Sequence, residues 1–200
     1  MRVLGLDTIG SYCTVALCDT AKVLAYKTEN IGRGHAERLA PMTAEVLSLA
    51  GLTARDVDRL AVCTGPGSFT GTRVAMSFAK GFALPRKLPV IGISALEVWA
   101  AHYDPEGDKN LVVVADVRRD ELCWAAIFKG QMRQAPITQS TQDARRAIAK
   151  LSADKVIEDG VIDGRILAWM GANLSPKHYP AQPLYSRAPD AKLPGGKLPK

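Results

Sequence analysis

Hydrophobic and polar positions mark out a succession of strands and helices along the chain. Residues 62–84, VCTGPGSFTGTRVAMSFAKGFAL, carry the sharpest pattern: a short apolar run, a turn with three glycines and a proline, then Val74, Phe78 and Phe82 at spacings of four. That order predicts a buried strand, a tight elbow and a helix. Upstream, residues 2–7 (RVLGLD) and 12–18 (YCTVALC) predict two strands around the turn Thr8-Ile9-Gly10-Ser11, and residues 22–28 a third, making an antiparallel meander. Residues 35–50 place Leu39, Met42, Val46 and Leu49 at steps of three, four and three, one apolar face of a helix that Gly51 ends. Pro41 in its second turn predicts a kink or a later start.

Thr53 with Asp56 three residues on predicts a capped helical turn, and residues 59–63 and 89–93 read as buried strands flanking the central helix. Strand, helix and strand with a crossover of this length require parallel pairing and a right-handed connection. Ser94 with Glu97 forms a capping box for a helix over LEVWAAHY. Residues 111–117 and 121–129 predict a hairpin around Arg118, Arg119 and Asp120, so the second half opens as the first does. After a polar helix over 141–152 come one strand and one helix within KVIEDGVIDGRILAWMG, then a loop. The expected fold class is α/β, with a lobe over residues 1–105 and a smaller one over 106–200 that ends in a basic, Pro/Gly-rich tail.

Composition changes this picture little. Two hundred residues, 47% apolar and 23% charged, suit a chain with a real core. No basic-then-apolar leader and no apolar run of about eighteen residues occurs, so a cytoplasmic protein with no membrane contact is expected. Cysteines 13, 18, 63 and 123 form no C-x-x-C pair and sit among apolar residues, the pattern of packed thiols rather than of a disulfide frame or zinc site. The net charge is +6, and half of it falls in the last sixteen residues, where Arg187, Lys192, Lys197 and Lys200 oppose Asp190. Such an end reads as solvated, with at most weak, salt-sensitive contacts to RNA phosphates.

The loop GPGSFTG matches none of the common glycine motifs. Gly71 is followed by Thr72 and Arg73 instead of the Lys-Ser/Thr of a Walker A loop; it stands one position late for G-x-G-x-x-G; and the glycines around Ser68 are misplaced for a nucleophile elbow. Two readings remain. Amides at a helix N-terminus can hold an anion or a partner's carboxylate, or the loop is only a tight strand-to-helix turn. Asp7 reads as a turn cap. His35, with only His102 and His178 elsewhere and no ligand spacing among them, reads as a helix-start histidine making a local hydrogen bond, not as a metal ligand. Arg118 and Arg119 either meet phosphate or carboxylate or are solvated at a hairpin tip.

TGPGSFTGTRVAMSFAKG closely resembles the hallmark segment of the bacterial TsaB (YeaZ) family, the non-catalytic partner in tRNA threonylcarbamoyladenosine formation. VLGLDTIGSYCTVALC, GRGHAERLAPMTAEVL, ADVRRDELCWA and PLYSRAPDA resemble further family segments in the same order, with Val117 where the family has alanine. The resemblance implies an actin/hexokinase/Hsp70-like (ASKHA) fold of two similar lobes, the C-terminal one trimmed. It puts Asp7 at the superfamily's metal-phosphate aspartate and makes Asp7, Gly65, Gly67, Ser68, Thr70, Gly71 and Arg118 candidates for an anion or nucleotide loop. In the catalytic sister family, TsaD, a His-x-x-x-His pair binds metal; here the position four after His35 is Leu39, so no metal is expected.

The implied role is a scaffold that binds and activates TsaD, with TsaE completing the assembly and tRNA engaged through the complex. His35, Leu39, Met42, Val46, Leu49, Arg73, Val74 and Phe78 would form the partner interface, and the same face would serve a homodimer when the chain is alone. No adenosine seat is evident after residue 110, so no cofactor is assigned to the chain itself; ATP or ADP is placed only at the partner joint. A glycoprotease-like metallopeptidase, a small-molecule kinase or ATPase, and an RNA-binding module are the alternatives.

Overall fold

A strand flanked by helices on both faces has no polar side to show, and the central strand β1 (Val3–Asp7) is buried at every position. In the computed structural model, which describes residues 1–186, it is followed by β2 (Tyr12–Cys18), β3 (Val23–Asn30), α1 (His35–Leu49), β4 (Arg59–Cys63), α2 (Phe69–Ala83), β5 (Val90–Ile93) and α3 (Ala95–Tyr103). The second half supplies β6 (Asn110–Asp116), β7 (Glu121–Phe128), β8 (Gln131–Ser140), α4 (Thr141–Ile148), β9 (Lys155–Glu158) and α5 (Gly164–Asn173). The tail charges Arg187, Asp190, Lys192, Lys197 and Lys200 lie outside the described residues.

The first sheet has the order β3-β2-β1-β4-β5, with the β1–β2–β3 meander antiparallel and β4 and β5 parallel to β1. The second, β8-β7-β6-β9, repeats that order and those directions with one strand fewer. One sheet built twice, the second time shortened, is the two-lobed ASKHA plan.

Three apolar clusters stack the molecule in five layers. Leu39, Met42 and Val46 of α1 and Ala75 and Ala79 of α2 pack with Leu4, Leu6 and Val15 on one face of the first sheet. Between the sheets, Leu96 and Trp99 of α3 and Leu167 of α5 join Val3, Ala61 and Ile93 of the first to Leu111, Val113 and Ala125 of the second. Ala144 and Ile148 of α4 cover Val112, Val114 and Trp124 on the far side. α5 thus comes from the second half of the chain but lies on the first sheet. It gets close through Gly171, where a Cβ would stand 2.5 Å from that of Ala61.

Several details differ from the sequence pattern. α1 runs through Pro41 from His35, with no later start. α2 begins at Phe69, five residues before the apolar spacing that starts at Val74, because Ser68 caps it by accepting from the Gly71 amide. β8 has no apolar run to announce it; it is an edge strand held by its ladder to β7, with Met132 and Ile137 exposed. The segment after α5, read as loop, borders β5: Gly92 N donates to Tyr179 O at 3.1 Å, and Leu184 N donates to Thr64 O at 2.8 Å.

Candidate functional site: a loop cleft and a two-helix groove

The turn after β1 and the loop before α2 are bolted together. Thr8 Oγ1 donates to Gly71 O at 2.6 Å, and Ser68 N donates to Ile9 O at 2.8 Å. A Cβ on Gly71 would lie 1.9 Å from the Thr8 carbonyl oxygen, so only glycine fits there. Beside this junction opens a cleft of about 930 Å³, lined by the β1–β2 turn, the β3–α1 loop, residues 67–71 and the tip of the β6–β7 hairpin.

The N-termini of two long helices meet in that cleft. Ser68 caps α2, whereas the residue preceding α1 is Gly34, at φ 85° and with no side-chain cap, so the first amides of α1 have no internal acceptor. Arg118 enters from the second sheet at φ 66°, the first of three consecutive left-handed residues, with its amide donating to Asp116 Oδ1 at 2.6 Å. Glu37 and Asp116 also line the cleft. His35 Nε2 is buried with no hydrogen-bond partner among the described residues, so the local bond expected of it is not made through that atom.

The predicted loop residues therefore separate. Gly67, Ser68, Thr70, Gly71 and Arg118 share the cleft with His35. Gly65 does not line it; its carbonyl instead accepts from Ala95 N at 2.7 Å and ties the loop to α3. Asp7 is also withdrawn. It is 2% exposed, accepts from Ile9 N at 3.2 Å and touches Cys63 beneath the turn. Burial pushes its carboxyl pKa up to about 7, against the lowering effect of those hydrogen bonds, and Asp7 caps the turn from beneath it.

The predicted partner face needs a correction. Leu39, Met42 and Val46 are at most 1% exposed, because α1 turns its apolar stripe onto the sheet. Leu49 projects outward at the end of the helix, 67% exposed. What the helix pair offers outward is a groove of about 420 Å³, with Leu39 among its lining residues and Phe69, Arg73, Val74 and Phe78 contributed by α2. The Arg73 guanidinium lies 3.6 Å from the Phe69 ring centroid, and its Nε donates to Tyr185 Oη at 3.2 Å. The rings of Phe69 and Tyr185 pack at a 37° tilt with their centroids 5.3 Å apart. Periodicity misses both rings: Phe69 belongs to the loop motif in sequence, and Tyr185 is 112 residues from Arg73.

The four cysteines are buried and unpaired, and burial raises the thiols of Cys13 and Cys18 to about 11. Among the described residues no cluster of three His, Cys, Asp or Glu side chains could hold a metal ion, and no helix is long and apolar enough to cross a membrane.

The repeated sheet and the loops clustered at the end of its central strands define an ASKHA-fold protein with a shortened second lobe. The profile of the family described as "TsaD: tRNA N6-adenosine threonylcarbamoyltransferase" matches residues 22–174, and the chain belongs to this family, in its TsaB (YeaZ) branch. It is 37% identical over 126 residues to the tRNA threonylcarbamoyladenosine biosynthesis protein TsaB of Escherichia coli, a match covering 62% of this chain and 54% of that protein. The chain thus spans about half the length of the curated TsaB relatives it matches. Against an uncharacterized protein of Mycobacterium tuberculosis it is 31% identical over 203 residues, covering 95% of this chain and 93% of the other. A solved structure from Pseudomonas aeruginosa, an uncharacterized protein described as similar to peptidase YeaZ, superposes with a TM-score of 0.73 at 27% identity and covers 93% of this chain and 99% of its own. A second, YeaZ from the same organism, gives 0.68 at 27% identity, with coverage of 92% and 99%.

Proposed function

We propose that this chain serves tRNA threonylcarbamoyladenosine biosynthesis as a non-catalytic docking subunit that binds TsaD and raises its activity. The names of its TsaB relatives support the pathway. The observation that carries the docking role is the groove between α1 and α2, where Phe69, Val74 and Phe78 form an apolar surface around one oriented cation, Arg73. Aromatic and arginine anchors at the centre of an apolar face are what dominate interface energetics. A partner of the same fold offers an equivalent helix pair, so the two would meet about a pseudo-twofold axis, and two copies of this chain would use the face when TsaD is absent.

Two features support leaving the chemistry to TsaD. Leu39 stands four residues after His35 and is buried, so this helix lacks the second histidine of a His-x-x-x-His pair, and Asp7 is turned beneath its own loop. TsaE would complete the assembly, and tRNA would be engaged through TsaD. ATP or ADP at the joint would set its phosphates in the cleft, against the amides of α1 and α2 and Arg118.

The test is co-purification with TsaD from the same organism, followed by assay of tRNA threonylcarbamoylation with and without this chain. Activity should depend on the chain, and Arg73→Ala should weaken the complex about tenfold. Full TsaD activity without it, or ATP hydrolysis by the chain alone, would overturn the reading.

A further inference from the structure

A second cavity, of about 400 Å³, lies apart from both the cleft and the groove, between β2 and β3, the end of α3 and the β9–α5 loop. Its walls hold Tyr12, Tyr26, Trp99, His102 and Tyr103, a concentration of rings in a chain only 6% aromatic. Tyr26 and Tyr103 are 48% and 40% exposed, so both rings can be reached from solvent. Trp99 is 5% exposed. Gly160 covers the face of its pyrrole ring, where a Cβ would stand 2.8 Å from both Cδ1 and Nε1, yet the indole N–H has no acceptor among the described residues. A buried donor without an acceptor is rare enough to need a reason.

Charge narrows the class of ligand. The Arg165 guanidinium lies 4.8 Å from the Tyr26 ring centroid and the Lys155 ammonium 4.4 Å from that of Tyr103, so two ring faces already carry a protein cation. Arg165 is itself paired with Asp163, which also lines the cavity, at 2.7 Å, so its charge is already balanced there. A neutral planar ring with in-plane acceptors suits such a site. A hydroxyl pair, Thr14 Oγ1 and Thr28 Oγ1 at 2.8 Å, adds polar edge contacts, and the volume suits a nucleoside, not a dinucleotide. Aromatic platforms beside cations are how proteins hold unstacked bases.

We infer that this cavity binds a nucleobase, stacked on a tyrosine face turned away from these cations and accepting a hydrogen bond from the Trp99 indole. The inference is independent of the docking role, since none of these residues lines the α1–α2 groove. The full chain, labelled with ¹⁵N, gives three indole signals, from Trp99, Trp124 and Trp169, and Trp99→Phe identifies the first. Adenosine should move the Trp99 signal saturably and leave the other two in place. Tyr26→Ala, at an exposed position, should weaken that response at least about fivefold, the low end of the loss of one base–aromatic stack. Oligoadenylate, tested in parallel, distinguishes the source: tighter binding than adenosine points to RNA, equal binding to a free nucleoside. No movement of the Trp99 signal with either probe up to roughly 10 mM, an equal response to phenol, or indifference to Tyr26→Ala would overturn the proposal.

Discussion

Asp7 ends β1 with its carboxylate sealed under the turn it organises, and its pKa of about 7 compares with 3.8 for the unfolded chain. Between those values the folded state holds a proton that the unfolded state has lost, so stability falls as pH rises across that window, by up to ~1.4 kcal/mol per unit, and levels off above it. Asp7→Asn keeps an acceptor for the Ile9 amide and removes the titration. Thermal melts should show the wild type losing stability from pH 5 to pH 8 and the variant holding level, with the variant the more stable at pH 8. Gly71 is a steric counterpart. With the Thr8 oxygen 1.9 Å from where a Cβ would go, Gly71→Ala should cost about 3 kcal/mol or more, read as a lower urea midpoint.

At the scale of elements, α1 and α2 divide the work between core and surface. The stripe of α1 packs inward on the first sheet, while α2 presents Phe69 and Arg73 outward. Leu39→Glu buries a charge without a partner and should destabilise the fold by about 3 kcal/mol or more, so lost TsaD binding in that variant would report unfolding. Arg73→Ala gives up exposed contacts to Phe69 and Tyr185, worth about 0.5–1 kcal/mol each, and should leave the melting temperature within several degrees of wild type. Complex formation, measured alongside, should separate the two. α1 is also fastened to β3 by charge: Arg38 binds Glu29 and Glu45, and Lys27 pairs with Glu45, which together hold the Glu45 carboxyl down at about 2. This pairing is present above pH 4.5 and fades as the solution is acidified toward pH 2.

For the whole molecule, the central layer matters most, because both sheets draw their inner cores from α3 and α5. One shared core implies one cooperative transition, and calorimetry of the full chain should show a single peak with equal calorimetric and van't Hoff enthalpies. A fragment ending at residue 105 lacks α5, leaves Val3 and Ala61 uncovered, and should fail to give a cooperative melt. Gly171→Val tests the same contact in the intact chain. Its side chain would enter the space held by Ala61 Cβ and should lower the melting temperature clearly.

The sequence by itself determined the features that short-range physics controls. The meander, the strand–helix–strand unit and the Ser94–Glu97 capping box follow from alternation, helical spacing and hydrogen bonds three residues apart. The glycine loop was legible as a strand-to-helix turn, and its segment carried the family resemblance. Tertiary structure alone decided which side of a patterned element meets the core. It buried the α1 stripe, withdrew Asp7 and Gly65 from the cleft, joined Phe69 to Tyr185 across the chain, made β8 a strand through its ladder to β7, and sent α5 back to the first sheet. Each of these depends on partners distant in sequence, because burial and ladder hydrogen bonds are settled by what the folded chain brings alongside a residue, and local spacing carries no record of that.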